Sequence, residues 1–180
     1  FTREGTHKGM RFDRAYSCAP LCVPSRVNLL TGRHAHNTGV SDNEKFLRHD
    51  EQTVPIALRD AGYRTCIIGK SHLAQGMWGG SEASDKRLSE MGFTDLISLG
   101  GKWSDGLGIN PHNPYDKYLI EKGEMEKFNQ DYKQRGFIQH RGGPGGAPQP
   151  WYAAPSALNE EDFGDAFISR STAQWIRDYD

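Results

Sequence analysis

The chain has 180 residues, enough for one domain on the usual scale of roughly 100–200 residues per domain. Apolar residues make up 36%, below the roughly 45–50% of ordinary globular domains, a fraction that also counts Gly, and the 21 glycines commit much of the chain to loops. With a net charge of −1 nothing favours nucleic acid or an anionic membrane as partner, and no apolar run approaches the roughly 18–20 residues of a membrane span.

Residue 1 is Phe, and the opening FTREGTHKGM has no apolar signal-peptide core. Asp180 follows directly on a helical pattern. The chain reads as an internal piece, cut at both ends. Residues 10–17, MRFDRAYS, suit a short strand or an extended lead-in. In CAPLCVPSR, Pro20 and Pro24 forbid a helix interior, but Pro24 fits the first turn of a helix through Ser25–Arg33. That helix places Val27, Leu29 and Leu30 on or near one face, and Gly32 weakens its end. Residues 34–52 are polar and read as loop.

Thr53 is a plausible N-cap for a helix VPIALRDA, with Pro55 in its first turn and Gly62 past its end. Tyr63–Gly69, YRTCIIG, reads as a buried strand, so helix, turn and strand form an α/β unit. Residues 70–80 form a glycine-containing loop, in the place where α/β proteins put their sites. A polar helix over 81–91, a strand over Phe93–Leu99 and charged helical fragments over 114–135 follow. Residues 136–150, GFIQHRGGPGGAPQP, predict a long irregular loop. Asn159 is then expected to cap a last amphipathic helix carrying Phe163, Phe167, Ile168, Trp175, Ile176 and Tyr179.

Three cysteines, Cys18, Cys22 and Cys66, make no disulfide framework, and the Cys18–Cys22 spacing lacks a second zinc-ligand pair. The segment Cys22–Arg33, CVPSRVNLLTGR, sets a small nucleophile-bearing residue just before a helix N-terminus. Unpaired N–H groups and the positive end of the helix dipole favour an anion there. Arg26, one turn on, can aim its guanidinium back toward Cys22. A second segment, Ala61–Leu73, AGYRTCIIGKSHL, sets Lys70 and His72 two residues apart after a strand. Alternation would point both the same way if the extended geometry continues.

These two segments resemble, in order and spacing, the signatures of the sulfatase family of the alkaline-phosphatase-like superfamily. C-x-P-S-R followed by Thr31-Gly32 is similar to the first signature, and G-Y-x-T-x-x-x-G-K-x-H-L to the second. The resemblance is strong over residues 10–73, faint over Phe93–Arg135 and weak again in the last helix. It implies an α/β sandwich, a mostly parallel sheet between helices, here incomplete at both ends. It implies hydrolysis of a sulfate ester, or a sulfamate, in a sulfated small molecule or glycan. Cys22 would be oxidised to formylglycine by a formylglycine-generating or other sulfatase-maturing enzyme. Lys70 would bind the sulfate, His72 would contact the formylglycine hydrate, and Arg26 would help offset charge.

The resemblance also implies calcium or another divalent cation. Of its ligands, only Cys22, as formylglycine, falls in this chain. The others are expected before Phe1 and after Asp180, so residues 1–180 alone are expected to be inactive. Export is implied by the same analogy. Asp42-Asn43 reads as ordinary loop and not as a metal-binding pair. Phosphate or phosphonate ester hydrolysis is the alternative within the superfamily, and a non-catalytic binding protein is the alternative outside enzymes. Cys18 and Cys66 read as structural, and a Cys18–Cys22 disulfide is set aside because it would block the nucleophile. His34 and His36 could be a metal pair on an extended segment but lack a third ligand nearby. His112 reads as a loop residue.

Overall fold

The computed structural model describes residues 10, 12–73, 80–100, 112–134 and 155–179. Helix α1 runs Cys22–Thr31, three residues earlier than the prolines suggest. Leu21 is its extended N-cap, and Pro24 falls in the first turn, where a missing N–H breaks no helical bond. Gly32 ends it at φ 65, and its N–H returns to the Asn28 carbonyl at 2.9 Å. Residues 10 and 12–16 form no strand, and Phe12 and Tyr16 are exposed with no strand to pair with among the described residues. Within the expected loop 34–52 sits a one-turn helix α2, Ala35–Thr38.

Helix α3, Val54–Asp60, starts as its sequence dictates: Thr53 Oγ1 accepts from Ile56 N, and Pro55 lies in the first turn. Strand β1 is Cys66–Lys70, helix α4 is Glu82–Glu90, capped by Ser81, and strand β2 is Asp95–Leu99. The strands pair in parallel, Cys66 opposite Asp95 through Lys70 opposite Leu99. Both begin later than the apolar runs predict. Tyr63 N donates to Leu58 O and Phe93 N to Leu88 O, so these residues close the preceding helices and are not free for a ladder. Strand β1 is half-buried rather than buried, because β2 is its one partner among the described residues.

Val23 and Val27 of α1 pack with Val40, Leu47, Leu73, Leu88, Met91 and Phe93 in one core. This core joins the helix of the first motif to the strand of the second. A second core gathers Leu99, Tyr115, Leu119, Met125 and Leu158. It is built by α5, Pro114–Lys122, by α6, Met125–Gln134, and by the chain's last helix. That helix, α7, is Gly164–Arg177 and starts after Phe163 rather than at Asn159. Asn159 instead precedes a 3-10 turn, Glu160–Asp162. Phe163, Phe167 and Ile168 pack as their spacing predicts, but Ile176 and Tyr179 are exposed. The turn is anchored by Asp162, buried and accepting from Tyr118 Oη and Lys122 Nζ, each at 2.6 Å. The long loop expected over 136–150 lies outside the described residues.

Candidate active site

The site forms where the start of α1 meets the carboxyl end of β1. Cys22 is the first residue of α1, inside the helix rather than before it, and its thiol is free and exposed. Leu21, as N-cap, offers no side-chain acceptor to the first-turn amides. The acceptor comes from elsewhere: Asn43 Oδ1 takes the N–H of Val23 at 3.0 Å. Asn43 is presented by a tight turn in which Asp42 Oδ1 accepts from Glu44 N at 3.0 Å and Lys45 N at 3.1 Å. Those bonds hold the Asp42 carboxyl below its ordinary value, the one from Glu44 most. Asp42-Asn43 is therefore loop, as its sequence suggests, but a loop that reaches the candidate nucleophile's helix.

Sequence spacing directs Arg26 back toward Cys22. In the structure Arg26 Nη1 donates to the main-chain carbonyl of Lys70 at 2.8 Å. This bond spans 44 residues and ties α1 to the end of β1. Lys70 is the last strand residue and is half-buried. The chain then leaves the extended form: His72 has φ 45, the left-handed region that non-glycine residues enter at a cost. Simple alternation therefore does not relate Lys70 to His72. Ser71, 1% exposed, is held by its hydroxyl 3.2 Å from that of Ser98 on β2.

His72 is buried, at 6% exposed. Burial lowers its pKa below the ordinary histidine value, and the charges of Lys70 and then Arg26 lower it further. The imidazole is thus favoured in its neutral form beside two cations. The structure brings Arg26, Lys70 and His72 together, with Cys22 one helical turn from Arg26. Such an arrangement can hold an anionic tetrahedral group and still offer an uncharged base.

The remaining candidates stand apart. Cys18 is exposed and Cys66 half-buried, both as free thiols, and burial pushes the Cys66 thiol up. His34 and His36 are not on an extended segment. His34 caps α2 and His36 lies within it, and their exposed rings stack at 5.6 Å. His112 is exposed and lies near Asp85, whose carboxyl is pushed up by burial and pulled down by His112. Among the described residues, no three His, Cys, Asp or Glu side chains gather in a group that could hold a metal. The calcium expectation thus has no ligand set here. Asn43 and Ser98 were missed by sequence reasoning. Asp42-Asn43 carries a turn signal, but nothing in the order of residues points it at Val23.

The family model for sulfatases matches residues 1–162. The chain is 34% identical over 137 residues to an N-acetylglucosamine-6-O-sulfatase of Bacteroides thetaiotaomicron, covering 75% of this chain and 22% of that protein. It is 44% identical over 71 residues to human arylsulfatase G, covering 37% of this chain and 14% of the relative. The chain thus spans about a fifth or less of these relatives. Among solved structures, a phosphonate monoester hydrolase from Silicibacter pomeroyi superposes with a TM-score of 0.57 at 25% identity. That match covers 88% of this chain and 29% of the other.

Proposed function

The chain belongs to the sulfatase family, and from that premise we propose that the whole protein hydrolyses sulfate esters at a site built on Cys22. The observation that carries the reading is the meeting of Arg26, Lys70 and His72 beside the helix that Cys22 begins. Formylglycine made from Cys22 by a maturing enzyme would supply a hydrated aldehyde as nucleophile. Cys22 suits that conversion, being exposed, unpaired to another cysteine and placed in a helix's first turn.

The chain's own residues supply the rest. Lys70 would hold a non-bridging oxygen of the sulfate by charge, with its carbonyl fixed by Arg26. The guanidinium of Arg26 adds a second positive charge to the same place, where an anion would otherwise lose solvation. His72, favoured as neutral imidazole, would accept a proton during nucleophilic attack. Calcium or another divalent cation, held by the group made from Cys22 and by ligands expected outside residues 1–180, would add further positive charge there.

A sulfated sugar or an aryl sulfate is the substrate class we put forward, after the activities named for the two relatives. Phosphonate or phosphate ester hydrolysis is a second reading, supported by the likeness to the phosphonate monoester hydrolase. The test is peptide mass spectrometry on full-length protein co-expressed with a formylglycine-generating enzyme, followed by assays on an aryl sulfate and an aryl phosphonate monoester. Conversion of Cys22 to the aldehyde is expected, with sulfate cleavage faster and lost at least about a thousandfold in Cys22→Ala. A thiol that stays unmodified, with neither ester cleaved, would sink the reading.

A further inference from the structure

A helix normally satisfies its first-turn amides with the side chain of its own N-cap residue. Helix α1 cannot, because that residue is Leu21. Its second amide, Val23 N–H, is taken instead by Asn43 Oδ1 at 3.0 Å, from a residue 20 positions later in the chain. Val23 directly follows Cys22, so the bonded amide belongs to the peptide unit that Cys22 itself begins. Val23 is fully buried and fixed in the core from the other side. Asn43 in turn is held by the Asp42 turn, whose carboxylate also receives a hydrogen bond from the Ser41 hydroxyl at 3.1 Å.

We infer that Asn43 is a positioning residue for the nucleophile: it caps α1 from a neighbouring loop and fixes the peptide between Cys22 and Val23. This rests on the sulfatase reading for its catalytic consequence, but not for the cap itself. Two effects follow from the geometry. The peptide plane after Cys22 is pinned, so the Cβ of Cys22 has one direction relative to Arg26, one turn on. The Val23 amide is also withheld from the substrate, Pro24 has no N–H and the Ser25 amide is bonded to the Leu21 carbonyl, so anion recognition falls to the side chains of Arg26 and Lys70. An apolar side chain at position 43 would free that amide and let the first turn fray. An aspartate would keep an acceptor there, yet add a negative charge beside an anionic substrate.

The experiment uses full-length protein, matured as above, as wild type, Asn43→Ala and Asn43→Asp. Hydrogen exchange of the peptide spanning residues 22–26 reads the cap directly, without activity. Turnover per formylglycine, with the occupancy counted by mass spectrometry, reads the catalytic consequence. Asn43→Ala is expected to exchange about tenfold faster over 22–26 and to lose kcat by about tenfold or more, with KM changed less than about threefold. Asn43→Asp is expected to restore the exchange and most of kcat, and to raise KM through like-charge repulsion. A purely structural role would give a loss that tracks melting temperature, with no split between kcat and KM and no rescue. Unchanged exchange in Asn43→Ala, or unchanged kcat, overturns the inference. A wild type that cleaves no sulfate ester overturns the functional reading instead, and the exchange result still decides the cap.

Discussion

Arg26 and Lys70 are joined by a 2.8 Å hydrogen bond from the guanidinium on one to the main-chain carbonyl of the other. It links the helix that starts with Cys22 to the last residue of β1, across 44 positions of sequence. The two signature segments thus meet in space, and Arg26 both fixes the strand end and brings charge to it.

Arg26→Lys should therefore fail although it keeps the charge. A lysine ammonium lacks the planar fork that can hold a carbonyl and face an anion at once. In the full-length enzyme kcat/KM should fall about a hundredfold, or about 2.7 kcal/mol in transition-state binding. The melting temperature should drop by a few degrees, for loss of a partly buried hydrogen bond. Steady-state kinetics and a thermal melt check this. Wild-type kinetics in the lysine variant would remove Arg26 from the site.

His72 predicts a pH dependence of stability. Its folded pKa lies below the unfolded value of about 6.5, chiefly through burial and then through Lys70 and Arg26. Between the two values the unfolded chain binds more protons than the folded one. The stability tied to the neutral imidazole is thus complete above about pH 6.5 and is lost as pH falls through the lower folded value. His72→Asn cannot titrate in this range, and asparagine tolerates the φ of 45. Melting temperatures followed from pH 7.5 down to pH 5 should fall more steeply in wild type than in His72→Asn. Lys70→Ala should lessen the slope by removing one repelling charge. Parallel curves for wild type and His72→Asn would show that His72 is not held neutral.

Gly92 predicts a stability loss far from the site. Its φ is 99, and a Cβ there would strike the main chain at Ile56 N and the Pro55 carbonyl carbon. That backbone cannot give way easily, because Thr53 Oγ1 accepts from Ile56 N and donates to Met91 O at 2.7 Å. Gly92→Ala should cost about 3 kcal/mol or more. Gly123, at φ 76 with open space around it, is the control, and Gly123→Ala should cost only about 1 kcal/mol. Denaturant unfolding of both variants measures the difference, and equal losses would contradict the close approach of α3 to Gly92.

Much of the local structure was legible because it is decided by neighbours in sequence. Thr53 and Pro55 start α3, Ser81 starts the polar helix α4, and the apolar runs CIIG and LISL become the paired strands. The spacing of Phe163, Phe167 and Ile168 identifies the packed stripe of α7. The boundaries were less legible. Tyr63 and Phe93 have strand-forming side chains, yet their amides close the preceding helices. Asn159 has the chemistry of a helix cap, yet a 3-10 turn intervenes before α7.

By itself, the sequence determined the family, and it singled out the candidate residues: Cys22 and Arg26 in one motif, Lys70 and His72 in another. Residue type and short spacing suffice for that, because a motif is local. Only the tertiary structure decided how they meet. It sends Arg26 to the Lys70 carbonyl, turns His72 out of the strand at φ 45, and brings Asn43 to the amide next to Cys22. The reason is physical. The Arg26 and Asn43 bonds each depend on a backbone donor or acceptor left unsatisfied at the end of one element. The partner that satisfies it is chosen by the packing of α1 against the strands through Val23, Val27 and Leu73, across tens of residues that no local pattern records.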